Sequence, residues 1–411
     1  MKRVLTIMIS IILIGSLLVG CAINTDGSIS SKDLNYNKNK IKASVVDGNS
    51  QFAFNIFKEL NKGDRNKNIF ISPLSISTAL SMTYEGARGI TKEGMAEVLG
   101  YKGIDINILN ESYKNLLRYL NQVDPKIELD INNSIWIRKG EKINEDFLST
   151  NKDIFDAYIN ELDFSEKDAV DKINNWINNS TKGKIKKMIN GPISPQVVMY
   201  LINAIYFKGE WTEEFDKENT FRTKFYVDKE NEQNVMMMNR KGTVEYLQGD
   251  NFKAVRLPYG NGKVSMYCIL PNKGISINNF IDNMDKDKWE KIRESISKTE
   301  DVILQIPHFK IEYGIKKLNN SLKELGMDEA FSSSANFSGI RDNIFISRVL
   351  HKAVIEVNEE GSEAAGATVV EMQETAAVEP TTFIANRPFL FMIADDETGT
   401  ILFIGKLYDV D

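Results

Sequence analysis

Two histidines, His308 and His351, are the only imidazoles in this 411-residue chain, and neither stands in a His-Glu-x-x-His or similar spacing that brings metal ligands together. No metal and no cofactor is expected. Nucleophile chemistry lacks parts as well: there is no Gly-x-Ser-x-Gly elbow, and the Ser-x-x-Lys spacings at Ser149/Lys152 and Ser295/Lys298 are what a Ser- and Lys-rich chain yields by chance. Tyr259-Gly260-Asn261-Gly262-Lys263 contains Gly-x-Gly-Lys, but no Ser or Thr follows the lysine to make a phosphate loop. Its Asn-Gly pair between two strand-like runs predicts a tight hairpin instead. Catalysis is not expected of these residues.

A different chemistry, that of strand exchange, is suggested by Glu359-Glu360-Gly361-Ser362-Glu363-Ala364-Ala365-Gly366-Ala367-Thr368-Val369-Val370, which passes from acids through tiny residues to β-branched ones. With the side-chain period of a strand, Ser362, Ala364, Gly366, Thr368, Val370 and Met372 share one face, and Glu363, Glu371 and Gln373 share the other. One face can be buried without burying a charge. Gly361, Gly366 and the later Pro380 suit a mobile loop better than a resident strand. The segment therefore reads as a loop that could become a strand.

The elements around it divide along the chain. Phe52, Ile56, Phe57 and Leu60, and again Val170, Ile173, Trp176 and Ile177, repeat at helical spacing. Later come short β-branched or aromatic runs at 129–137, 197–207, 264–270, 302–306, 344–357 and 389–393. Helices first and strands later predict an α+β fold with helices packed on sheets. The chain reads as one large domain, with 26% charged and 42% hydrophobic residues, and its net charge of -6 gives no reason to expect nucleic acid.

The N-terminus stands apart. Lys2 and Arg3 precede an apolar run, and Leu18-Val19-Gly20-Cys21 follows, which resembles a bacterial lipoprotein box with Cys21 as the lipid-attachment residue. Residues 1–20 are expected to be a lipoprotein signal peptide, 21–48 a polar, flexible tether, and 49–411 the folded domain. The chain would then be exported and lipid-anchored to the cell membrane on its extracytoplasmic side. Cys268, within Val264–Leu270, reads as a buried small hydrophobe without a disulfide partner.

The run from Glu359 to Thr368, followed by Phe383-Ile384-Ala385-Asn386-Arg387-Pro388-Phe389, resembles the C-terminal signature of the serpins. Asn68-Ile69-Phe70-Ile71-Ser72-Pro73-Leu74-Ser75, Asn203-Ala204-Ile205-Tyr206-Phe207-Lys208-Gly209-Glu210-Trp211 and Val349-Leu350-His351-Lys352-Ala353 resemble further family stretches in the same order. The likeness spans about Ser50 to Asp411. It implies helices around a large central mixed sheet and two smaller sheets, with an exposed reactive-centre loop.

It further implies a suicide inhibitor of a serine protease, in which a bait loop is cleaved and enters the central sheet while the protease is still acylated. Glu359, Gly361 and Ser362 to Thr368 would be the hinge, Ser72, Asn203 and His351 the shutter beneath the sheet, and Trp211 and His308 the breach where entry begins. The family often has lysine where His308 stands; a protonated His308 holding Glu359 would make the gate loosen as the imidazole loses its proton at rising pH. The scissile bond falls at Thr375-Ala376 counting from Gly361, or at Ala377-Val378 counting back from Asn386. Both are small and uncharged, which suits an elastase-like or subtilisin-like target, and cysteine proteases stay open. A monomer is expected. The competing reading is a non-inhibitory serpin-fold binding protein. The helix expected at 108–122 offers only Lys114 and Arg118, so no glycosaminoglycan activation is expected.

Overall fold

The computed structural model describes residues 35–228, 230–362 and 380–410. Cys21, the hinge residues Glu363, Ala364, Ala365, Gly366, Ala367 and Thr368, and both scissile candidates, Thr375-Ala376 and Ala377-Val378, lie outside the described residues.

Helices α1 (Ala43–Gly63), α2 (Pro73–Tyr84), α3 (Gly89–Leu99), α4 (Ile106–Leu120), α5 (Glu145–Phe155) and α6 (Ala169–Ser180) come early, and α7 (Ile277–Asp282) and α8 (Lys286–Ser295) follow. The strands are β1 (Ile69–Ile71), β2 (Ile127–Arg138), β3 (Tyr158–Leu162), β4 (Met199–Glu210), β5 (Phe221–Tyr226), β6 (Glu232–Gln248), β7 (Phe252–Tyr259), β8 (Val264–Pro271) and β9 (Ser297–Pro307). After them come β10 (Phe309–Glu312), β11 (Lys316–Lys317), β12 (Leu350–His351), β13 (Val354–Val357), β14 (Gly361–Ser362), β15 (Thr382–Ile384), β16 (Phe389–Asp395) and β17 (Ile401–Leu407).

The α+β class agrees with the sequence reading. A nine-stranded mixed sheet runs β1-β17-β16-β8-β7-β6-β9-β15, with β5 on β6. Its centre is buried on both faces, so β8, β16 and β17 read as unbroken buried runs rather than alternating ones. Cys268 sits in β8, fully buried, and burial pushes its thiol pKa up, as expected of a small core hydrophobe. The Tyr259–Lys263 segment joins antiparallel β7 and β8 as the expected hairpin, with Gly260 and Gly262 at φ +52° and +82°.

The strands that frame the loop lie elsewhere. Beside the large sheet, as expected, stand smaller ones: among the described residues, the ladders β14-β4-β2-β3, β10-β13 and β11-β12. Among the described residues no ladder joins β4 to β13. A cavity of about 440 Å³ separates them, lined on one side by Ile205, Tyr206 and Phe207 and on the other by Ala353, Val354 and Ile355. The odd-numbered residues of β4 pack on the main core, whereas Ile202 and Ala204 pack with Trp176 and Ile177 of α6 in a second cluster.

Two expectations are corrected. The strand read at 344–357 is β12 plus β13, because the register passes from Glu312↔Val354 to Lys316↔His351. Four steps on one side match three on the other, so one extra residue bulges out of the 312–316 stretch and breaks the ladder. The tether expected through Gly48 ends earlier: α1 begins at Ala43, Val45 and Val46 are buried, and a Cβ on Gly48 would stand 2.5 Å from the Gly100 carbonyl oxygen. Even the polar stretch before it is pinned to α4, where the Asn37 backbone N–H donates to Asn115 Oδ1 at 2.5 Å and Ser112 Oγ donates to the Lys40 carbonyl at 3.0 Å.

Candidate functional site

The site is the mouth and floor of the β4/β13 opening. At the mouth, the chain leaves β13, makes a tight turn through Glu359 and Glu360, and comes back as β14. Asn358 and Gly361 exchange backbone hydrogen bonds at 2.9 and 3.3 Å. β14 then pairs antiparallel with the free edge of β4 in the register Gly361↔Glu210 and Ser362↔Gly209. Only glycine fits at Gly361: its φ is +140°, and a Cβ there would come within 2.2 Å of the Gly209 carbonyl oxygen.

Four side chains hold this turn. Trp211 is buried, stacks on Tyr259 at 4.4 Å between ring centroids, and donates its indole N–H to the Asn358 carbonyl at 3.0 Å. The Glu359 carboxylate faces His308 Nε2 at 2.5 Å and accepts from Thr220 Oγ1 at 2.6 Å. Burial alone would raise the Glu359 pKa, but the Thr220 hydroxyl, its own backbone N–H and the facing His308 outweigh it and hold it below the usual glutamate range. Glu360 pairs with Lys217, and the backbone N–H groups of Phe215 and Trp211 donate to the Glu359 and Glu360 carbonyls, both at 2.9 Å.

On the floor, Ser72 makes three bonds that its place between β1 and α2 dictates. Its Oγ caps α2 by accepting from the Ser75 N–H at 3.1 Å and donates to the Leu402 carbonyl at 2.7 Å, while Pro73 opens the helix. Its backbone N–H donates to His351 Nε2 at 3.1 Å. His351 is fully buried, and burial pushes its pKa down to about 4, so the ring is neutral at pH 7. Asn203 stands apart from this pair: its Nδ2 donates to Asn133 Oδ1 at 2.8 Å, and its buried Oδ1 has no partner among the described residues.

The structure thus joins His308 to Glu359, Trp211 to Asn358 and Ser72 to His351, and leaves Asn203 unjoined to either of its expected companions. Sequence reasoning missed Thr220, Lys217 and Asn133. The first two flank or occupy a single 3₁₀ turn, Lys217–Asn219, which has no periodicity to mark it.

A split sheet with a strand begun at the head of its opening defines a fold with room for one more strand. The chain belongs to the serpin family: the family described as serpin (serine protease inhibitor) matches residues 47–410. An uncharacterized serpin-like protein of Methanosarcina acetivorans is 36% identical over 374 residues, covering 88% of this chain and 87% of that one. Among solved structures, the thermophilic serpin tengpin in its native state is 34% identical with a TM-score of 0.81, covering 92% of this chain and 96% of that one. Human thyroxine-binding globulin, solved in complex with thyroxine, is 29% identical with a TM-score of 0.79, covering 90% of this chain and 99% of that one. Serpins are in general protease inhibitors rather than catalysts.

Proposed function

We propose that this serpin is an inhibitory one, a suicide substrate that traps an elastase-like or subtilisin-like serine protease by inserting its cleaved loop between β4 and β13. The observation that carries the reading is the register of β14. Continued along β4, Gly361↔Glu210 and Ser362↔Gly209 would set Ala364 against Phe207, Gly366 against Ile205 and Thr368 against Asn203. These β4 residues share the odd-numbered face turned to the main core. The loop face free of charges would thus be the one that enters the interior, and Glu363 would oppose Lys208 on the other side.

The same count taken along the β13 side, from the Asn358↔Gly361 pair, sets Thr368 against His351. Thr368 would then arrive between His351 and the unpartnered Asn203 Oδ1, which supplies a buried acceptor for its hydroxyl. Ser72 and His351 are already paired, and Asn203 Oδ1 would gain its partner on insertion, which supports a shutter role for the three.

The lipid anchor at Cys21, export and the monomeric state belong to the same proposal and rest on the N-terminal sequence and the family. The test is Ser362→Arg, which puts a charge on the first residue of the entering face. The variant is expected to be cleaved and to release active protease, a substrate instead of an inhibitor; inhibition equal to the parent's overturns the reading.

A second reading, a binding serpin, is favoured by a cavity of about 570 Å³ between α7, α8 and the β6–β7 turn, lined by Leu247, Phe252, Phe280 and Met284. It ranks lower because the hinge from Ser362 to Thr368 has no proline or bulky residue to obstruct insertion.

A further inference from the structure

We infer that the β4/β13 opening is also a binding site for a compact oxyanion carrying several negative charges, of the oligophosphate or sulfated-sugar class. Five lysines and two glutamates line the 440 Å³ cavity, on a chain whose overall net charge is -6. The positive charge is therefore concentrated here against the trend of the whole molecule.

The carboxylates do not neutralise it. Glu312 is taken up by Lys352 at 2.7 Å. Glu356 lies opposite Lys310 in the β10–β13 ladder, without an ion pair among the described residues. Lys186, Lys187 and Lys310 are exposed and form no ion pair among the described residues. They also stand on opposite banks: Lys186 and Lys187 belong to the segment that follows α6, whereas Lys310 projects from β10, whose neighbours Phe309 and Ile311 point into the core. One anion bridging the banks would satisfy cations from both, and the focused field of a cleft strengthens that attraction relative to scattered surface lysines.

The site exists only while the opening is empty, so the ligand binds the uninserted form and not the inserted one. By linkage it then retards strand entry and holds the chain in its uninserted state. This regulatory consequence rests on the insertion reading given above; the binding does not.

The experiment is calorimetric titration of the uncleaved full chain at low ionic strength, with inorganic tripolyphosphate and, separately, with sucrose octasulfate. Saturable binding at one site per chain is expected for at least one of them, weakening as salt is added. Binding of one probe alone identifies the phosphate or the sulfate source. Lys310→Gln, and separately the Lys186→Gln/Lys187→Gln pair, should each weaken it about tenfold or more, and Lys291→Gln on α8 should not. The site is disproved if neither probe binds, or if both bank variants bind as tightly as the parent. Titrating the uncleaved chain separates the two ideas: a chain that binds the anion yet fails to insert its cleaved loop would refute insertion and keep the site.

Discussion

Burial keeps the His351 imidazole neutral, and this makes it a pH-dependent element of stability. Its pKa in the fold is about 4, below the histidine value of about 6.5 expected of an unfolded chain. Between those values the unfolded chain takes up a proton that the folded chain refuses, so stability is complete above about pH 6.5 and falls as pH drops toward 4. The shift corresponds to about 3 kcal/mol in all. His351→Gln retains an acceptor for the Ser72 N–H without the titration, and urea midpoints of the uncleaved chain should fall much less from pH 6.5 to 4 than the parent's; an unchanged fall would show that other groups carry it. The Glu359 clamp behaves differently, because its depressed pKa makes its contribution present above the usual glutamate value and lost as pH falls through the folded one. His308 Nε2 faces the same carboxylate at 2.5 Å, and its ring holds the turn to the approach of β10. His308→Ala, which removes the ring facing Glu359 at 2.5 Å, should speed insertion of the cleaved loop, and a variant that inserts at the parental rate would show that the clamp is not the gate. His308, Trp211 and the Ser72–His351 pair were legible because each stands in a motif word. Thr220 and Asn133 were not, since a lone hydroxyl or amide carries no signal until the fold brings its partner to it.

At the scale of elements, strand β4 is the one asked to do two things. It is paired with β2 from Ile137↔Met199 to Ile127↔Gly209, while among the described residues its other edge carries only Gly361 and Ser362. Unpaired strand edges exchange their amide hydrogens readily unless they are covered. Cleavage of the loop should therefore slow hydrogen exchange at alternate β4 amides between Met199 and Lys208, those not engaged by β2. Equal exchange before and after cleavage would mean that the strand does not enter there. The helix and strand periodicities made α1, α6, β4 and β8 readable from the sequence. The break between β12 and β13 was hidden because its cause, one extra residue in the 312–316 stretch, lies on the partner strand. The start of α1 was hidden because only Val45 and Val46 bury apolar surface in its first turn, amid polar residues that resemble a linker.

For the molecule as a whole, the proposed inhibition requires a native state that lacks one strand. An entering segment of about 15 residues at roughly 3.3 Å each spans about 50 Å, enough to carry an attached enzyme across a domain of this size. In the proposed mechanism, pairing on both edges and burial of the charge-free face would make the inserted form the more stable one, and that difference would supply the work. The direct measurement is to incubate the chain with an elastase-like and a subtilisin-like protease, then follow it by denaturing gels, mass spectrometry and thermal melting. Insertion of the cleaved loop predicts a complex that survives denaturant, a released C-terminal peptide beginning at Ala376 or Val378, and a cleaved chain that melts well above the intact one. Cleavage at either bond with the protease fully active and the melting temperature unchanged would contradict it.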